Sequence, residues 1–245
     1  MGLLACALLA AGPAQKLQLR CRLAQGTAWI TRGTMVVTTS VSEKGQTASK
    51  ESSSNIVWQE KVVESDSIRG VTKETTVVEP EPTVLRYLIS PRLEQRVVKV
   101  GEETVTQVGA LMAQPALFPL QPVAVGDSWE IQVSDKLFLR GERAAVPADF
   151  AVKGTGTLQK IENGLAVLSF DLGSELRGVQ PDAEGALTYL TTTTMKWTMG
   201  VDPATGFVTW QEMQSTSDQS VLRSTVAVGP TVRILTSMSL KSEKL

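Results

Sequence analysis

The chain has 245 residues, enough for one large β domain or two small ones, and with 42% hydrophobic and 20% charged residues it is neither disordered, collagen-like nor a membrane bundle. Lys and Arg total 24 against 25 Asp and Glu, so a net charge of -1 gives no electrostatic ground for nucleic acid as a partner. The absence of histidine removes Ser-His-Asp and Cys-His catalysis together with every histidine-ligated metal site.

Residues 1–14, MGLLACALLAAGPA, are uncharged, carry an apolar run and end in small residues, the pattern of a signal-peptide-like leader too short to span a membrane. Lacking the usual basic start, this leader is either atypical or truncated. The chain is therefore expected to be exported, periplasmic or extracellular, with no transmembrane span. Leu3-Leu4-Ala5-Cys6 also looks like the box before a lipid-modified cysteine. Against lipid anchoring through Cys6, the apolar run continues through residues 7–11. Cleavage after Ala14 leaves Cys21 alone, so no internal disulfide forms. Cys21 alternates with Leu17, Leu19 and Leu23 and reads as a small buried hydrophobe.

The dominant signal after the leader has period two. Residues 16–23 form a first predicted strand, a turn at Gly26 follows, and residues 29–41 form a longer strand with Trp29, Met35, Val37 and Val41 on one face. Glu43-Lys44-Gly45-Gln46 closes a hairpin. Strand compositions recur at 55–64 and 67–78. Glu79-Pro80-Glu81-Pro82 reads as a stiff surface crossing with solvated charge, and strands resume at 83–89, 93–100 and 104–108 around a turn at 101–103.

Residues 109–122 break the pattern: the segment is apolar but carries Pro115, Pro119 and Pro122. Leu111, Met112, Leu117, Phe118 and Leu120 are expected to pack onto the sheet, as a core plug or as a lid over an apolar groove. The region 109–126 is also the natural place for a subdomain junction within an otherwise single β domain, 15–245. Beyond it, Gly126-Asp127-Ser128 turns into a strand at 129–133, and 135–149 reads as a loop with a helical turn. Strands at 152–161 and 165–172 flank Asn163-Gly164, a strong hairpin signal. Residues 187–199 put Tyr189, Met195, Trp197 and Met199 on one face. Asp202-Pro203-Ala204-Thr205-Gly206 turns the chain back into 207–217, and 221–228 with 232–240 form a last pair. The expected fold is all-β: about ten to thirteen long antiparallel strands in a large curled sheet or open barrel, with little helix.

The stretch from Pro119 to Trp129, with Val125-Gly126-Asp127-Ser128-Trp129 at its end, the Gly26 turn and the Asp202 to Gly206 hairpin together resemble uncharacterised exported bacterial β-rich proteins of unknown function. At the level of fold the chain is similar to periplasmic carriers of lipoproteins, a resemblance that implies acyl chains held on the concave face of a curled sheet. Within that motif Asp127 reads as a turn cap beside an anchoring Trp129 rather than a catalytic carboxylate.

Catalytic and cofactor motifs are missing. There is no Gly-Lys dipeptide for a P-loop, no Gly-x-Ser-x-Gly, and Gly154-Thr155-Gly156 lacks the third glycine of a dinucleotide fingerprint and marks a bend or bulge instead. No catalytic residue, metal ligand or cofactor is assigned. The functional expectation is a non-enzymatic structural or protein-binding role in the bacterial envelope. The alternative is a carrier of a lipid or acyl chain, and a histidine-independent carboxylate hydrolase comes third. Ligand-facing candidates are Trp29, Met35, Leu111, Met112, Leu117, Phe118, Trp197 and Met199, and the partner is a hydrophobic small molecule or an envelope protein. Trp210 falls on the parity opposite to Phe207 and Met213, so it meets another layer or solvent.

Overall fold

The computed structural model describes residues 16–79, 83–100, 103–104, 114–140, 145–182, 185–223 and 226–245. The leader, the Pro80 to Pro82 crossing, Leu111 and Met112 lie outside the described residues. Among those described there are thirteen strands and no helix: β1 (Ala28–Glu43), β2 (Gln46–Asp66), β3 (Gly70–Glu79), β4 (Thr83–Ile89), β5 (Gln95–Val100), β6 (Glu103–Thr104), β7 (Ser128–Arg140), β8 (Ala145–Glu162), β9 (Leu165–Asp182), β10 (Gly185–Val201), β11 (Val208–Arg223), β12 (Val226–Ala227) and β13 (Thr231–Lys244). No helix among these residues is long and apolar enough to cross a membrane.

All pairings are antiparallel, in one sheet ordered β6-β5-β4-β3-β2-β1-β13-β11-β10-β9-β8-β7, with the short β12 attached to β11; the path is not closed into a barrel. Two meanders, β1 to β6 and β7 to β11, are thus joined by the C-terminal strand: Met238 of β13 pairs with Met35 on one side and Met213 on the other. The turn chemistry follows the sequence. Lys44 and Gly45, and again Asn163 and Gly164, all have positive φ, as two-residue hairpin turns between twisted strands require.

Several strands run differently from the sequence expectation. Residues 135–140 and 145–149 continue β7 and β8 rather than forming a loop, since Asp135 pairs with Phe150 in an unbroken ladder. The expected strand 207–217 runs on to Arg223 as β11, taking in the start of the expected strand 221–228, whose residues Val226 and Ala227 instead turn back on it as β12. The ladder irregularity in β8 falls between Leu158 and Lys160 and not at Gly154 or Gly156. Residues 16–23 keep the predicted alternation, with Leu19, Cys21 and Leu23 buried and Arg20 and Arg22 exposed, yet they form a single isolated bridge, Leu17 to Val123, rather than a strand.

That segment is a strap. Leu17 exchanges backbone hydrogen bonds with Val123, Cys21 N donates to Pro91 O (2.8 Å), Arg22 N to Thr205 O (2.7 Å), and Ser65 Oγ to Leu23 O (2.9 Å), so the strap ties together the 114–123 segment, the turns at Pro91 and Thr205 and the end of β2. Gly206 serves both partners there, because its φ is +72° and a Cβ would stand 2.3 Å from Arg20 O. Residues 114–123 form a second cover. Phe118 N donates to Arg92 O and Trp129 Nε1 to Leu117 O (2.8 Å). Leu19, Leu117 and Phe118 are fully buried in a core that includes Val71 and Ile89 from one meander and Ile131 and Leu158 from the other. Strands so far apart in the path share a core only because the sheet curls around these covers. Leu120, expected on the sheet, points out instead, at 68% exposure.

Candidate functional site

Strand register assigns each side chain to the inward face, toward the covers, or to the outward one. On β1 the inward residues are Trp29, Thr31, Gly33 and Met35; on β2 they are Glu60, Trp58 and Ile56, directly across from the first three. Lys73 and Thr75 of β3 and Tyr87 of β4 continue that face. The inward face therefore carries an acid and a base among aromatics.

Glu60 is buried, and both of its oxygens are occupied. Oε2 accepts from Trp29 Nε1 (2.7 Å) and from the Thr31 hydroxyl, while Oε1 accepts from Lys73 Nζ (2.6 Å) and Thr75 Oγ1 (3.4 Å). Burial alone would raise the Glu60 carboxyl; the Lys73 ammonium and the hydrogen bonds from Lys73, Thr31 and Trp29 more than offset this and hold it below its ordinary value. Lys73 lies 5.0 Å from the Tyr87 ring centroid and 5.9 Å from that of Trp29, so its charge is shared between the carboxylate and two π faces. Burial, reinforced by the Glu60 charge, pushes the Tyr87 phenol up to about 12.

Beside this unit is a partly open cavity of about 90 Å³. Trp29, Trp58, Trp197 and Met199 supply much of its apolar wall, and Glu60, Lys73, Gln211 and Ser242 its polar one. Of the residues singled out by sequence, Trp29, Trp197 and Met199 meet here. Trp29 packs edge-on against Phe207 at 5.4 Å, and Trp197 donates from Nε1 to Gln211 Oε1 (3.2 Å) and tilts against Phe170. Leu117 and Phe118 are placed in the sealed core and do not line this cavity. Met35 lies farther along the inward face, in a cross-strand row that runs Met35, Met238, Met213, Trp197, Phe170, Gly156 and Trp129 through seven strands.

Glu60 and Lys73 were not anticipated. The signal was present as parity: Ile56, Trp58, Glu60 and Val62 alternate as one face, and so do Val71, Lys73 and Thr75, placing opposite charges on two neighbouring apolar stripes. Asp127 closes its turn as expected: its Oδ2 accepts from Ala124 N (2.8 Å), and its backbone bridges to Ala124 and Leu158. Trp210 lies on the outward face, with its indole against Gly200, where a Cβ would stand 2.1 Å from Nε1.

The outward face holds a second concavity, an open trough of about 440 Å³ across β1, β13, β11, β10 and β9. No group of three or more His, Cys, Asp or Glu placed to hold a metal occurs among the described residues. Comparisons with models of known protein families, with curated proteins and with solved structures return no match.

Proposed function

We propose that this chain is an exported, non-enzymatic protein that works through the surfaces of its sheet, in a structural or protein-binding role in the cell envelope. The observation that carries this reading is the filling of the inward face. The strap and the 114–123 cover pack into the curl, and the cavity beside Glu60 among the described residues measures about 90 Å³, against roughly 300–1,000 Å³ for a small-molecule pocket. Glu60, the one buried carboxylate among the described residues, has a lysine as its charged neighbour rather than a second acid, which argues against a two-carboxylate hydrolase.

A second reading, a carrier of an acyl chain, draws on the Met35, Met238 and Met213 row, which is half-buried and lies beyond the core that the strap and the second cover fill. Mass spectrometry of the purified full chain under native and denaturing conditions, with solvent extraction, separates the two. A mass equal to the chain alone supports the surface-acting protein. A stoichiometric lipid, lost on Met213→Asn, overturns it in favour of the carrier.

A further inference from the structure

The trough on the outward face is built by strand register. Its first row runs Val36, Ser237, Gln214, Lys196 and Asp171, and its second Thr38, Leu235, Thr216 and Thr194, each residue directly opposite the next on the neighbouring strand. The lining is therefore neutral hydroxyl and amide groups over an aliphatic patch of Val36 and Leu235, the latter 43% exposed. Lys196 and Asp171 stand opposite each other and cancel in charge. Thr194, Gln214 and Ser237 are exposed and Thr216 half-buried, so their polar groups are presented together on this face. At about 440 Å³ the trough has the size of a ligand site.

We propose that this trough binds a neutral, hydroxyl-rich oligosaccharide laid across the strands. Three features select that chemistry. The lining offers alternating donors and acceptors without net charge, which suits sugar hydroxyls and gives no cationic field for a polyanion. The apolar patch matches the C–H face of a pyranose ring. The spacing of neighbouring strands, about 4.8 Å, is close to that of successive rings in an extended glycan, so one row of side chains meets one ring per strand. Trp210 shares the outward face four residues before Gln214, about 13 Å away along β11, and offers an indole for a further ring. The inference rests on the reading that the sheet surface, not its interior, is the working part.

The test is titration of the full chain, by calorimetry and by methyl NMR, with cellotetraose, xylotetraose, maltotetraose and tetra-N-acetylchitotetraose. Binding of one of them, shifting the Val36 and Leu235 methyls of the wild type and weakened about tenfold by Gln214→Ala or Thr216→Val, supports the site. The methyl shifts locate the ligand even where a variant is poorly folded. Absence of binding to all four, or binding that leaves those methyls and both variants unaffected, overturns it. A co-purified lipid in the mass measurement would overturn the surface-acting reading on which the trough rests, whereas a lipid-free chain that binds none of the four glycans overturns the trough alone, so the two failures are distinguishable.

Discussion

Gly156 of β8 sits directly across from Trp129 of β7, and a Cβ at position 156 would stand 2.5 Å from the indole. The ring cannot retreat cheaply, because its Nε1 donates to Leu117 O and its edge packs on Phe170 at 6.1 Å. The glycine is thus the seat of the tryptophan that pins the second cover.

Gly156→Ala is therefore expected to destabilise by about 1–3 kcal/mol through overpacking. Gly173→Ala, in the neighbouring strand, meets nothing closer than 3.8 Å and is expected to stay within about 0.5 kcal/mol or to stabilise. Urea unfolding of the two variants checks the contrast; equal effects would show that the indole is not held against Gly156.

Lys73 and Glu60 form the buried ion pair, with side-chain exposures of 11% and 5%. Removing one partner leaves the other charge buried and unpaired, so Lys73→Met alone is expected to lose about 3–5 kcal/mol. The double change Lys73→Met with Glu60→Gln is expected to recover much of that loss, because no uncompensated charge remains. A double-mutant cycle from unfolding midpoints gives the coupling, and simple additivity would mean the pair is solvated.

The same pair sets an acid dependence. The Glu60 carboxyl lies lower in the folded chain than its ordinary value of 4.5, so the unfolded state takes up the proton first. Its stabilisation is complete above about 4.5 and is lost as the pH falls through the folded value. Unfolding free energies measured from about pH 6 down to about pH 3 should fall more steeply for the wild type than for the double variant. Parallel curves would contradict the assignment.

Burial pushes the Cys21 thiol up to about 11, outweighing a backbone hydrogen bond with Leu23 and the nearby Lys73 charge. In a Cys6→Ser background, Cys21 of the native chain is expected to react with a disulfide reagent at least on the order of a hundredfold more slowly than in denaturant. Equal rates would mean that the strap lifts readily from the core.

The local grammar is legible along the chain. Alternation of apolar and polar residues, with positive-φ turn pairs such as Asn163-Gly164 and Lys44-Gly45, specifies long antiparallel strands and their hairpins, because each signal depends only on neighbours along the chain. It also marked Trp29, Trp197 and Met199 as inward side chains. The remainder depends on pairings between residues far apart. The insertion of β13 between β1 and β11 aligns Met35 with Met238 and Met213, and no local pattern encodes that neighbour choice. Residues 16–23 alternate like a strand but serve as a strap, since alternation reports only that one side is buried, not what supplies the hydrogen bonds. Glu60 and Lys73 become an ion pair only through the pairing of β2 with β3, because a buried ion pair is tolerable only when both partners and their donors arrive together.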